Sequence, residues 1–220
     1  MDSRTRYDDY LEAVNTVIDG RLANVHTAVP CQIVSVDFTK QTCVLQPLIK
    51  ARRLHPDGTQ EWVSYPPISD APLHFPGGGG VAMTFPVQAG DEALAMIPSR
   101  SPDAWLQSGG EQQQVDLRMH DISNAFAMVG FRSNPNALEN VPNDAVQLRT
   151  ADGNTSITLK GDEVTVKATN ATHVVTPTTI TATVGSTLVK VAGGRVDLGG
   201  TGGSPVITEA GPSTVVFAKV

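Results

Sequence analysis

The side chains that could bind a metal ion are spread through this sequence and form no motif. No histidine has a cysteine, aspartate or glutamate at the spacing that metal sites use. We therefore predict no metal centre and no cofactor. The five histidines are His26, His55, His74, His120 and His173.

Side chains for catalysis are equally isolated. The carboxylate pairs at 91–92 and 162–163 are adjacent in predicted turns, and we find no separated pair suited to glycoside hydrolysis. Ser108-Gly109-Gly110 lacks the flanking pattern of a nucleophile elbow. The run PGGGG at 76–80 is not followed by the Lys-Ser/Thr of a phosphate-binding loop. We therefore predict that the protein is not an enzyme.

His173 is the one histidine that could form an ion-binding site if three copies of the chain assemble around an axis. It lies in the stretch TVKATNATHVVTPTTITATVG at 165–185, which is strand-like and contains no aromatic residue. If its side chain faced a threefold axis, three copies could bind an ion there. Otherwise it is a packed or solvent-facing strand residue, and we take that as the default interpretation.

Charge and cysteine content limit the class of protein. The net charge of −6 argues against a nucleic-acid surface, and Lys50, Arg52 and Arg53 are the only basic cluster in the predicted barrel. The charged start MDSRTRYDDYLEAV does not resemble a secretory signal, and no apolar run is long enough for a membrane helix. Cys31 and Cys43 lie in neighbouring predicted strands. They could pair, although two thiols made in a reducing cytoplasm explain them as well.

The elements divide the chain into five segments. Residues 1–25 are predicted to form a helix, whose docking face is Tyr7, Leu11, Val14 and Ile18 at 4-3-4 spacing. This face could pack on its own domain or on a partner chain. Residues 26–130 contain short strands separated by Gly/Pro turns, which favour an OB-type antiparallel barrel. Its strands include the hairpin QIVSV–TCVLQPLI, EWVSY, GVAMTFPV and EALAMIP.

The second half changes in composition. Residues 131–146 are rich in Asn and Pro and are interpreted as a linker. Residues 147–205 form a ladder of short strands: SITLKG, DEVTVKA, THVVT, TTITATVG, STLVKVAGG and RVDLGG. Residues 206–220 are the apex segment.

Small β-branched side chains and a seven-to-nine-residue repeat favour an intertwined trimeric β-helix, because three chains can share a narrow core and cover strand edges. We predict that eight core residues face its axis: Ile157, Leu159, Val164, Val166, Ile180, Leu188, Val196 and Leu198.

The whole chain resembles the central spike proteins of contractile-tailed bacteriophages. The resemblance is carried by LANVHTAVPCQIVSVD, TCVLQPLIKA, FPGGGGVAMTFPVQAGDEALAMIPSRSPDAW, MHDISNAFAMVGFRSNPN and RVDLGGTGG at 195–203. It implies an N-terminal OB-fold domain on the baseplate hub protein, and a homotrimeric β-helix that points at the host. The protein is then a virion component at the tail baseplate tip, made in the host cytoplasm.

The resemblance also implies a mechanical function, which is to pierce the host outer membrane when the sheath contracts. Such spikes often hold an iron ion with a His-X-His pair at the tip, but this sequence has no such pair, so a tip iron is not expected. The sequence leaves open whether a separate protein caps the tip. An alternative function is a baseplate adaptor with a glycan-binding tail, which the lack of aromatics between Phe131 and Phe217 weighs against. An OB-fold nucleic-acid binder ranks last.

Overall fold

The computed structural model describes residues 10–219, which form a mainly β protein with a helix near its start. The chain divides into a first unit, Met1–Asn136, and a second unit, Ala137–Val220. The division falls within the segment that the sequence predicts to be a linker. The helices are α1 (Tyr10–Leu22) and α2 (Asp103–Ser108), and short 3-10 turns lie at Ile122–Asn124 and Asn134–Asn136.

The first unit contains nine described strands. They are β1 (Ala28–Asp37), β2 (Thr42–Pro47), β3 (Ala51–Leu54), β4 (Gln60–Val63), β5 (Ile68–Pro72), β6 (Gly77–Gly78), β7 (Val81–Ala82), β8 (Glu92–Met96) and β9 (Phe126–Val129). Five of them form one antiparallel sheet in the order β5-β2-β1-β8-β9. Its two edges approach each other just after β5, where Leu73 makes a parallel bridge with Ala127 and the backbone N–H of His74 donates to Ala127 O at 3.0 Å.

This sheet buries its own apolar face. Alternate residues of β2 and β8 point inward, as the period of a strand with one solvated face requires. The enclosed residues form one hydrophobic core: Cys31, Ile33, Cys43, Leu45, Ile68, Ala71, Leu73, Val87, Ala93, Ala95, Ile97, Ala125 and Ala127.

Both cysteines are free thiols inside this core. Burial raises the pKa of Cys31 to about 11, and burial together with the nearby Cys31 raises the pKa of Cys43 to about 11. The thiols are therefore protonated at neutral pH, and they serve the packing of the first unit.

The sequence predicted part of the first unit correctly. The hairpin β1–β2 is confirmed, and Asp37 Oδ1 closes its turn by accepting from the N–H groups of Thr39 and Lys40 at 2.9 and 3.1 Å. The strand predicted over GVAMTFPV is wrong beyond Ala82: only Val81–Ala82 pairs, with Gly77–Gly78, in a short ribbon. Four strands of the first unit were not anticipated: β3, β5, β6 and β9. β5 contains polar and proline residues, and β9 is only four residues long.

The second unit contains nine further strands in one sheet. They are β10 (Val146–Arg149), β11 (Ser156–Lys160), β12 (Glu163–Ala168), β13 (Ala171–Val175), β14 (Thr179–Val184), β15 (Thr187–Ala192), β16 (Arg195–Leu198), β17 (Ser204–Thr208) and β18 (Gly211–Ala218). The chain runs as an antiparallel meander from β10 to β16, and each strand pairs with the next. The six strands of the predicted ladder, β11–β16, are confirmed.

The end of the chain leaves the meander. β18 pairs in parallel with β16 and antiparallel with β17, so the sheet order ends β16-β18-β17. The segment predicted as an apex without assigned structure is therefore part of the sheet. The loop 199–203 has to cross beside the end of β18, where space is short. A Cβ at Gly199 would lie 2.8 Å from Lys219 O, and a Cβ at Gly203 would collide with Ala218 O. This accounts for Gly199 and Gly203 in RVDLGGTGG.

Candidate functional site

The strand register of the second unit places its aliphatic residues on one face. Val166 pairs with both Ile157 and His173, and Ala182 pairs with both His173 and Val189. Paired residues on neighbouring strands point to the same side of a sheet. Continuing these pairs across seven strands gives a row that we name the central row: Leu148, Ile157, Val166, His173, Ala182, Val189 and Leu198.

A second row runs parallel to the central row, two residues away along each strand. Leu159 pairs with Val164, Val175 with Ile180, and Val191 with Val196. We name the two rows together the apolar face. The members of this side row are Val146, Leu159, Val164, Val175, Ile180, Val191 and Val196.

The apolar face is open in a single chain. Leu148 is 59% exposed, Ile157 46% and Val189 41%, and only Val175 and Val196 among the two rows are half-buried. No apolar side chain among residues 137–219 is fully buried. Contiguous aliphatic surface of this extent is rare on a protein that remains a monomer.

The opposite face of the same sheet is polar and carries the threonines. Gln147, Thr158, Thr165, Thr181 and Lys190 lie along it, and all are half-buried. Gln147 Nε2 donates to Thr158 Oγ1 at 3.0 Å. Val174 and Leu188 also lie on this face, which is otherwise formed mainly by hydrogen-bonding side chains. The other face is mainly aliphatic, which is the pattern of a sheet with a single face in a core.

The polar face also holds the end of the chain in place. Asp197 is buried, and Arg195 Nε donates to its Oδ1 at 2.8 Å. The guanidinium carbon of Arg195 lies 3.6 Å from the centroid of the Phe217 ring on β18, a cation–π contact. These three side chains join β16 to β18 on the side away from the apolar face. Sequence reasoning missed them because β18 returns to β16 from 20 residues away in the chain.

Seven of the eight residues predicted to face an axis lie on the apolar face, and Leu188 does not. Leu188 pairs with Thr183, which puts it on the polar face, and Val189 and Val191 occupy the apolar positions of β15. The physical reason is the turn length. In each hairpin, an even number of residues separates the last paired residues of the two strands. The residue numbers on the apolar face therefore alternate between odd and even from one strand to the next. Leu188 is eight residues after Ile180 and has the same parity, so it lies on the opposite face of the sheet from Ile180.

His173 is the only titratable side chain on the apolar face. It is exposed in the single chain, in the middle of β13, between Val166 and Ala182 on the neighbouring strands. Two of the other described histidines, His55 and His120, have ordinary polar partners. His55 Nε2 lies 3.1 Å from Glu61 Oε2, and His120 Nδ1 lies 3.2 Å from His26 O. Residues 10–219 of one chain contain no cluster of three metal-ligating side chains.

Helix α1 presents its predicted docking face without burying it. Tyr7 lies outside the described residues; Leu11 and Ile18 are 69% and 48% exposed, and Val14 is half-buried. No described residue of α1 is buried in the single chain. Its docking surface stays a prediction. Within residues 10–219, the helices are too short or too polar to span a bilayer.

Glu92 connects the first sheet to the segment that follows it. Its carboxylate accepts from the backbone N–H of Ser133 at 2.6 Å, from Ser133 Oγ at 2.7 Å and from Asn136 Nδ2 at 2.8 Å. The hydrogen bonds from Ser133, first that of its backbone N–H, and the one from Asn136 hold the pKa of Glu92 below its usual range. The adjacent pair Asp91/Glu92 is therefore structural: Asp91 Oδ2 accepts from Gln88 N at 2.8 Å in a turn.

Comparison with known proteins finds a family model that matches the segment containing the first sheet. Residues 29–130 match the family model described as the phage protein Gp138 N-terminal domain, and this segment spans slightly less than half of the 220-residue chain. No curated protein matches the chain. The matched segment contains all thirteen buried hydrophobic residues of the core. The match bears out the resemblance to a phage tail spike family.

Proposed function

We propose that this phage structural protein is the homotrimeric central spike at the baseplate tip of a contractile tail, and that it pierces the host outer membrane when the sheath contracts. The observation that carries the proposal is the apolar face of the second unit, which is continuous over seven strands and open in one chain. Three copies that turn these faces toward a common axis form an intertwined β-helix. The family match of the first unit supports a phage origin.

The first unit is proposed to be an OB-type barrel seated on the baseplate hub protein. Its support is the strand order β5-β2-β1-β8-β9, together with the parallel bridge from Leu73 to Ala127 that brings the two edges together. A five-stranded sheet that closes in this way removes its own exposed edges. A first unit with its own core can then hold the spike while the second unit bears the force.

Piercing needs stiffness, and the second unit has the means to provide it. Each of its strands is hydrogen-bonded to its neighbours in the sheet, and the aliphatic side chains between three such sheets would pack at the density of a protein interior. β-branched residues add rigidity because their side chains have few rotamers. The proposed function requires no catalytic group and no cofactor.

The mass of the native particle tests the proposed architecture. Sedimentation velocity of the purified full chain should give three times the 23.2 kDa mass of one chain. The trimer should also survive SDS at room temperature and separate on boiling. A monomer at micromolar concentration would contradict the trimeric spike.

The position in the virion tests the function. Antibodies raised against residues 137–220 should label intact tail particles at the baseplate tip in negative-stain images. After contraction on host cells, the label should be found at the cell envelope. Labelling along the sheath or at the capsid would contradict the piercing proposal even if the protein is a trimer.

A further inference from the structure

We propose that three copies of His173 form a transition-metal site on the axis of the spike, in the middle of its apolar core. The proposal rests on the trimer proposed above and adds to it a ligand that no single chain can bind. It is distinct from a site at the tip, because four strands of the sheet, β14, β15, β16 and β18, lie between β13 and the last strand, β17.

The position of His173 within its strand is the first argument. β13 spans Ala171–Val175, and its residues on the apolar side are Ala171, His173 and Val175, so His173 is the middle one of three. The same holds for Val166 in β12 and Ala182 in β14, its two neighbours in the central row. When three equivalent sheets face a threefold axis, the middle of each strand comes closest to the axis. The three imidazoles therefore meet each other.

The surroundings of His173 are the second argument. Its neighbours on the apolar face are Val166, Ala182, Ala171 and Val175, and none of them offers a hydrogen-bond donor or acceptor from its side chain. No charged side chain lies in the two rows of the apolar face, from Val146 to Leu198. A neutral imidazole carries one donor and one acceptor, and burying them without partners costs free energy. The other two imidazoles and whatever they bind are the only partners available.

The chemistry of three neutral imidazoles selects the ligand. Three nitrogen donors around one point are a common ligand set of Zn²⁺ and related divalent ions, with water or an anion in the fourth position. Ala182, next to His173 in the central row, has the smallest side chain of that row and leaves room beside the rings. Binding an ion satisfies the buried acceptor nitrogens, and it ties the three chains together at the middle of the core.

Binding of Co²⁺ alone tests the site, because tetrahedral Co²⁺ has a strong visible absorption. Untagged full-length trimer should take up about one Co²⁺ per three chains in equilibrium dialysis and should show that absorption. The variant His173→Leu should bind no Co²⁺ while remaining a trimer, because leucine suits the apolar core at least as well. His55→Ala, which removes a histidine of the first unit, should bind as much Co²⁺ as the wild type.

The failures are distinguishable. A wild-type trimer that takes up no Co²⁺, or a His173→Leu trimer that binds as much as the wild type, overturns the metal site and leaves the spike intact. A chain that sediments as a monomer overturns both. Co²⁺ uptake that is lost in His55→Ala instead would place the ion in the first unit and contradict the proposal.

Discussion

The two units of this protein differ in how far one chain buries their apolar residues. The sheet of the first unit brings its edges together at Leu73 and Ala127 and encloses thirteen buried apolar residues. The nine-stranded sheet of the second unit has as regular an alternation, yet its buried residues are the polar Ser156 and Asp197. The first sheet thus completes a core within one chain, whereas the second leaves its aliphatic face open, and the trimer proposed above would supply the rest of that core. Stability should accordingly be independent of concentration in the first unit and dependent on it in the second.

The largest expected effect comes from a charge on the apolar face. Val189→Asp puts three carboxylates into the proposed core, and burying an unpaired charge costs on the order of several kcal/mol each. We expect the trimer to be lost in sedimentation velocity. The control is Thr181→Asp on the polar face, where Lys190 lies opposite on β15, and this variant should remain a trimer. A Val189→Asp trimer as SDS-resistant as the wild type would show that the apolar face is not the contact surface.

The next effect is a cavity in the first unit. Leu45 is fully buried, so Leu45→Ala should destabilise the first unit by about 2–5 kcal/mol in chemical denaturation. The loss should be the same at low and high protein concentration. Leu48→Ala, at a position that is 47% exposed, should change stability by less than about 0.5 kcal/mol. A concentration-dependent loss in Leu45→Ala would mean that the first unit also relies on a partner for its core.

Thiol reactivity reports on the unfolding of the first unit alone, because both cysteines lie in that unit. A pKa of about 11 at Cys31 and Cys43 lowers the thiolate fraction at pH 8 roughly hundredfold relative to an ordinary thiol. The folded state is favoured while the thiols stay protonated, and this contribution decreases as pH rises from the unfolded-state pKa toward about 11. We expect a disulfide reagent at pH 8 to react only after the first unit unfolds. Rapid reaction of native protein would contradict the closed core.

The smallest expected effect is local and concerns the carboxylate of Glu92. Its pKa is lowered in the folded protein, so its contribution is present above the pKa of an unfolded glutamate and disappears as pH falls through the lower folded value. Glu92→Gln should increase amide hydrogen exchange at Ser133 at neutral pH. In the wild type, the protection factor of this amide, corrected for the intrinsic pH dependence of exchange, should decrease as pH falls through the lowered pKa of Glu92. Asp91→Asn should leave exchange at Ser133 unchanged, because Asp91 bonds to Gln88 instead.

The local sequence pattern was enough to predict the strands of the second unit, but it was not enough to predict on which face of the sheet every residue lies. Strands β11–β16 follow from alternation and from turn residues such as Gly161, Gly185 and Gly193, which adopt positive φ. The error at Leu188 arose from counting residues between turns without the pairing rule that shifts the inward positions. The Arg195, Asp197 and Phe217 cluster could not be predicted, because a parallel return strand leaves no local signal.

The amino-acid sequence by itself determined that the protein is mainly β and that its second half is a ladder of short strands. These features depend on side-chain periodicity and turn chemistry, which act between near neighbours. Only the tertiary structure decided which strands close the first sheet, that β18 inserts between β16 and β17, and that the aliphatic residues of seven strands share one open face. These depend on contacts between residues far apart in the chain, and no local pattern encodes their register.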